Sequence, residues 1–195
     1  MERAIKAAPD GDGRRRRGQD NRARIVAAML EIIHGGELSP GAEQVAERAD
    51  VGLRTVFRHF KDMDSLYSEM SEVIEAEMRG IAGQPFKTDD PRERVIELVE
   101  RRAAVFEKIG PFKRASDALR HRSRFLDNDN DRLVRALRDI LQREAPPEIA
   151  GDPLRFEALD LLLSWESWAR LRREQGLAPD RARQVLESAV RTLLG

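Results

Sequence analysis

The sequence predicts an all-α chain. Charged residues make up 36% of it and aromatics only 5%, a balance typical of amphipathic helices rather than of sheets. Apolar residues recur three and four apart in one segment after another, the period of a helix face. Clusters of Gly, Pro, Asp and Asn separate these segments and mark the turns. At 195 residues the chain suits one or two domains and can bury a core.

Composition also narrows the chemistry. There are no cysteines, which excludes disulfides and Cys-based zinc sites. The three histidines, His34, His59 and His121, are scattered. No H-E-x-x-H, phosphate-cradling glycine loop or nucleophile elbow occurs. The expectation is therefore no catalytic site, no metal, no cofactor and no enzyme. The first residues are polar and lack the apolar stretch of a signal peptide. The longest apolar run, near residues 159–163, is interrupted by Asp160. No membrane partner and a cytoplasmic location are expected.

The formal net charge is zero, but its distribution is uneven. Arg14, Arg15, Arg16 and Arg17 form a basic block, with Arg22 and Arg24 close behind. Residues 1–18 lack an apolar period and read as a disordered basic arm. Such an arm either neutralises DNA phosphates or is a solvated tail. The first helix is expected from Asp20, with Ile25, Met29, Ile32 and Ile33 as its buried stripe and Gly35-Gly36 as its stop. Ser39-Pro40 then restarts the chain as cap and first helical position.

Residues 42–60 fit two short helices joined by a tight turn. Val45, Ala46 and Ala49 give the first a small apolar face. Asp50-Val51-Gly52 is the break, since Asp and Gly both tolerate turn conformations. Val56 and Phe60 lie on one side of the second helix, four residues apart. Arg54, Thr55, Arg58 and His59 cannot share that side and are left for a partner. A cationic helix after a tight turn suits the phosphate-lined major groove of DNA.

The run Ala49-Asp50-Val51-Gly52-Leu53-Arg54-Thr55-Val56-Phe57-Arg58-His59-Phe60 matches, without a gap, the pattern A-G-V-S-x-x-T-(L or I)-Y-x-H-F of the TetR family of transcriptional regulators. The chain resembles that family over roughly residues 20–78. The resemblance implies a helix-turn-helix DNA-binding head at 19–64 and a helical ligand-binding and dimerisation domain at 65–195, with 65–82 as the bridging helix. It implies Leu53 and Arg54 as base readers, Arg54 suiting guanine and Leu53 a thymine methyl. It implies Gln44, Thr55, Phe57, Arg58, His59 and Lys61 as further DNA contacts, mainly to phosphate or to the edge of the interface. The chain departs from the pattern at Pro40-Gly41, where the family has Thr-Ser, at Phe57 for Tyr, and at Met63 for Lys. Each change removes a phosphate contact, for which Lys61 and the arginine block are the available compensation.

The body is expected to hold five helices, at 91–109, 111–126, 131–143, 154–175 and 179–194. The fourth is apolar nearly all round and so needs more than one neighbour. The resemblance implies a homodimer through the last two helices, with Leu161, Trp168, Val185, Ala189, Val190 and Leu193 at the interface. Trp165 and Trp168 are alternatively plain core. It also implies a pocket for a small-molecule effector, for which Met78, Phe86, Arg102, Phe106, Phe112, Phe125, Leu162, Trp165 and Trp168 are candidates. Arg102 stands on the apolar face of its helix between Val99 and Phe106. It must meet an anionic ligand, form an internal salt bridge or leave for the surface.

The expected function is a dimeric repressor released from a palindromic double-stranded DNA operator by a small molecule. The alternative is a helical small-molecule or partner-binding protein with a degenerate head.

Overall fold

The computed structural model describes residues 11–195, with the side chains of residues 11–17 and of Ala82 outside that description. The described residues form helices and no strand. They divide into two compact units, Met1–Ser71 and Glu72–Gly195.

In the first unit, α1 (Gly11–His34) precedes α2 (Ala42–Arg48), α3 (Leu53–His59) and the first half of α4 (Met63–Ala82). α1 begins nine residues before the expected Asp20, so the arginine block belongs to a helix and not to a structureless arm. Arginine is among the better helix formers, and no proline opposes the extension. The arginine side chains, and all of residues 1–10, lie outside the described residues. α1 ends as the glycines predict: Gly36 takes φ 101° and the Glu37 N–H reaches back to the Ile32 carbonyl at 3.3 Å, a left-handed helix stop. Ile25, Met29, Val45, Val56, Phe60, Leu66 and Met70 are each at most 2% exposed and form the core of this unit. Asp62 caps α4, accepting the Ser65 N–H at 2.9 Å while Ser65 Oγ accepts the Asp62 N–H at 3.3 Å. The unit boundary, Ser71 to Glu72, falls inside α4.

The second unit continues with the link at residues 83–90, α5 (Pro91–Leu119), α6 (Arg124–Glu144), the single turn α7 (Pro147–Ala150), α8 (Pro153–Leu162), α9 (Trp165–Ala169) and α10 (Pro179–Leu194). α9 runs on into one π-helical turn, Arg170–Glu174. Helix boundaries differ from the expected ones in three places. α5 continues through Pro111, where one lost N–H bond is tolerated because residues 105–116 of this helix are largely buried by neighbours. The break comes instead at residues 120–123, where the buried Ser123 accepts the Leu126 N–H at 3.1 Å. The expected break within Asp127-Asn128-Asp129-Asn130 is helical, since acids and amides suit an early helical turn. The expected 154–175 helix is divided at Leu163, and Ser164 caps the new start by accepting from the Ser167 N–H at 3.2 Å.

Trp165 and Trp168 join α9 to α5. Trp165 Nε1 donates to Asp117 at 3.0 Å and Trp168 Nε1 to Glu107 at 3.0 Å. Trp165 also meets Phe106 edge-on, with ring centroids 5.8 Å apart. No helix among the described residues is long and apolar enough to cross a membrane.

Candidate nucleic-acid interface and ligand cavity

α3 is positioned by its buried side. Val56 is 1% exposed and Phe60, just past its end, 2%. The turn before it places Asp50 in the left-handed region, at φ 51°. Two arginines of α1 hold this frame. Arg22 donates to the His59 carbonyl at 2.7 Å and to Glu69 at 2.6 Å, and its guanidinium lies 4.6 Å from the centre of the Phe60 ring. Arg24 donates to the Ala49 carbonyl at 2.5 Å and to the Asp50 carbonyl at 3.3 Å. The sequence alone groups both with the basic charge available to DNA, yet their work is to fix the two ends of the turn-and-helix.

The other side of α3 is open. Leu53, Arg54, Phe57, Arg58 and Lys61 are exposed and Thr55 half-buried. Phe57 is 51% exposed and, with Leu53 at 37%, gives this side an apolar component. Arg54, Arg58 and Lys61 have no hydrogen-bond or ion-pair partner among the described residues. Gln44 is exposed on α2, with its side-chain oxygen accepting the Gly41 N–H at 3.0 Å. That oxygen closes the start of α2, and the amide NH2 is the end left for a partner. His59 departs from the expected phosphate contact. It is half-buried, and its Nε2 is enclosed without a partner among the described residues. Burial, and then the charges of Arg58 and Arg22, lower its pKa against the opposing pull of Glu69. A neutral imidazole adds no positive charge to the exposed face.

The second unit contains a cavity of about 380 Å³ between α4, the link, α5 and α6. Its walls are largely apolar: Met78, Phe86, Leu98, Val105, Leu133, Leu137 and Ile140. Of the residues expected there, Met78, Phe86 and Arg102 line it. Phe106, Trp165 and Trp168 border a smaller cleft of about 200 Å³. Phe112, Phe125 and Leu162 line neither. The tryptophans are fastened to α5, and the apolar wall combines Leu98 and Val105 of α5, Leu133, Leu137 and Ile140 of α6, and Phe86 of the link.

Arg102 is 5% exposed. It does not leave for the surface, and it forms no salt bridge among the described residues. It donates to the Leu163 carbonyl at 2.8 Å, at the break between α8 and α9, and to the Leu137 carbonyl at 2.5 Å. Its Nε is buried without a partner. Burial lowers its pKa to about 10, which the nearby Asp160 partly opposes, so the group remains charged at neutral pH. Asp160 itself bonds Arg138 at 2.8 Å. The link that covers the cavity is held by α5. Arg101 donates to the Gln84 and Pro85 carbonyls at 2.5 and 2.6 Å, Glu97 accepts the Lys87 N–H at 2.9 Å, and the Phe86 ring lies 4.1 Å from the Arg101 guanidinium.

The residues expected at a subunit interface fall on two sides of the last helices. Trp168 and Val190 are 2% and 0% exposed and belong to the core of the unit. Trp168 is bonded to Glu107 of α5, and neither side chain offers an open surface on the chain. Leu161 is 65% exposed and Val185 37%, with Ala189 and Leu193 half-buried. Leu154, which sequence reasoning missed, is 84% exposed and stands seven residues before Leu161 on α8, two turns along the same face.

No family model matches the chain, and no curated protein matches it. Solved structures do. A transcriptional regulator from Rhodococcus sp. Rha1 superposes with a TM-score of 0.68 at 14% identity, covering 89% of this chain and 95% of that one. A TetR transcriptional regulator from Rhodococcus sp. RHA1 gives 0.53 at 20% identity, covering 92% and 97%. Likeness at such identities is a likeness of backbone, and by it the chain has the all-α fold of TetR-type regulators, with a helix-turn-helix head and a helical C-terminal domain.

Proposed function

We propose that the chain is a sequence-specific, double-stranded DNA-binding transcriptional regulator. The observation that carries this reading is the exposed side of α3. Arg54, Arg58 and, just past the helix, Lys61 stand there without a partner among the described residues, beside a helix whose other side and both ends are pinned. Three unpartnered cations on a rigid frame suit a polyanion, and a short helix presented this way suits a major groove. The two Rhodococcus structures named above are transcriptional regulators, which supports the reading. In this reading Leu53 and Arg54 read bases, while Thr55, Arg58, Lys61 and the amide end of Gln44 meet phosphates. Phe57 supplies an apolar edge contact. The arginine block of residues 14–17, carried at the start of α1, adds charge to the same duplex.

The finer reading is a homodimeric repressor on a palindromic operator, released by a small molecule in the α4–α5–α6 cavity. The outward apolar faces of α8 and α10, with Leu154, Leu161 and Val185, support a two-fold pairing of these helices. α4 belongs to both units, so a ligand against Met78 acts on the same helix that packs Leu66 and Met70 into the head. The ligand must bind the DNA-incompetent state more tightly than the competent one.

The test is selection of bound duplexes from a random pool, repeated with Arg54→Ala. A palindrome that loses discrimination at one position of each half-site supports the reading. Weak, sequence-blind, salt-sensitive binding removes it and favours a ligand-binding protein with a degenerate head. The losses at Phe57, Met63 and Pro40-Gly41 would then be decisive.

A further inference from the structure

The cavity in the second unit has an electrostatic mismatch. Its two carboxylates are already matched: Glu144 pairs with Arg94 at 3.2 Å, and Glu75 with Arg132 at 3.4 Å. Arg101 is committed to Glu97 and to two link carbonyls. Arg79 and Arg143 are exposed at the rim. Arg102 differs from all of these. It lies on the apolar wall, almost wholly enclosed, with carbonyl oxygens as its hydrogen-bond partners and its Nε unbonded. The acid that most favours its charge, Asp160, is occupied by Arg138. A guanidinium so placed carries a desolvation cost that carbonyl dipoles only partly offset. Leucine or methionine would pack the same wall without it.

We infer that the cavity takes an apolar molecule bearing a single carboxylate, whose charged end seats on Arg102. The apolar walls of Leu98, Val105, Leu133 and Ile140 fit the uncharged part. One buried cation balances one negative charge. A phosphate monoester would bring close to two charges, and the second would be left desolvated among these side chains. This inference rests on the reading that the cavity is the effector site, and it names that effector's class. A purely structural Arg102, present only to satisfy the Leu163 carbonyl at the α8–α9 break, would give the cavity no preference between an acid and the matching alcohol.

The experiment measures binding by calorimetry on the full chain without DNA. The probes are decanoate and 4-phenylbutyrate, each paired with its alcohol, decanol and 4-phenylbutanol. At least one acid should bind about ten- to a hundred-fold more tightly than its alcohol, the range expected for a charge-assisted hydrogen bond. Arg102→Met should abolish that preference and Arg102→Lys should keep part of it. Leu133→Trp should block acid and alcohol alike. Should Arg102→Met fail to fold, Arg102→Lys and Leu133→Trp still carry the test. Equal affinity for acid and alcohol, a preference that survives Arg102→Met, or no binding of either acid overturns the inference. An acid that binds as expected yet leaves the protein–duplex complex intact upholds the ligand class and sinks its role as releasing effector.

Discussion

In the head, Arg22 and Arg24 reach the carbonyls at either end of α3's frame, and Arg54, Arg58 and Lys61 face solvent with no partner among the described residues. In the body, Arg92, Arg155 and Arg172 likewise reach carbonyls, at Leu194, Leu193 and Leu177, but one guanidinium, that of Arg102, is buried with its Nε unbonded among the described residues. Both regions use some of their arginines on helix ends and links, which short helices leave with unpaired acceptors. They differ in where the remaining charge is held. The head's lies outside, where it suits a large, hydrated polyanion. The body has exposed arginines as well, Arg120 and Arg122 among them, but also keeps Arg102 inside, beside the apolar cavity in which a small and mostly apolar anion is proposed to bind.

The largest expected effect tests whether the two regions are separate at all. Phe60→Ala empties the middle of the head's small core and should cost about 3–5 kcal/mol. Calorimetry should show one transition moving down sharply while a second, belonging to the body, stays in place. If both move together, the regions melt as one and the contrast drawn between them is of charge alone.

The next effect separates the two kinds of arginine in the head. Arg22→Ala removes a carbonyl bond, an ion pair and a ring contact together, and should cost about 1–3 kcal/mol of stability. Arg54→Ala should change stability by no more than about 0.5 kcal/mol, while costing about 1–3 kcal/mol in discrimination at one base pair. Denaturant melts and duplex titrations on the same two variants check this. A destabilised Arg54→Ala would mean that α3's outer side has an internal role.

That division of labour was not legible in the sequence. The helix-turn-helix was, because Val45, Ala46, Val56 and Phe60 can share one core only if Asp50-Val51-Gly52 turns. The exposed side of α3 followed by elimination. Nothing in the spacing of Arg22 and Arg24, though, distinguishes a cation aimed at DNA from one aimed at a carbonyl, since the acceptors are created by the turn itself. In the body, helical periodicity survived but boundaries did not. Pro111 reads as a break, yet burial on both sides carries the helix through it. Ser123 and Ser164 read as ordinary polar residues, yet each caps a helix. Leu133, Leu137 and Ile140 look like core from pattern alone. Only the packing of α6 against α4 and α5 leaves a cavity beside them.

A smaller effect concerns the link over the cavity. Burial pushes the Glu97 carboxyl up, but the Lys87 N–H and the Arg101 guanidinium outweigh it and hold the pKa below the usual 4.5. A depressed carboxylate pKa gives stability that is present above the unfolded value and lost as pH falls through the folded one. Hydrogen exchange in residues 83–90 should therefore quicken as pH drops below about 4.5, relative to the intrinsic rate of the unfolded peptide. Glu97→Gln should flatten that dependence. The head's α2–α3 turn, fixed by Arg24 on neutral carbonyls, should not follow the same profile, and if it does, the acid response is global.

The smallest effect lies in that turn. Asp50 adopts φ 51°, a conformation that costs most L-residues about 1–2 kcal/mol and Asp or Asn less. Its carboxylate is almost fully exposed, and its pairing with Arg24 is long, at 3.4 Å, so the side chain returns little. The stronger Arg24 bond goes to the Ala49 carbonyl and does not depend on Asp50. Asp50→Gly should therefore raise the head's stability by a few tenths to about 1 kcal/mol, despite the greater freedom it gives the unfolded chain. Asp50→Ala should lower it by about 1 kcal/mol. If glycine instead destabilises, the exposed ion pair matters more than the backbone strain. Even the long Asp50–Arg24 contact would then belong with the frame-holding arginine bonds of the head.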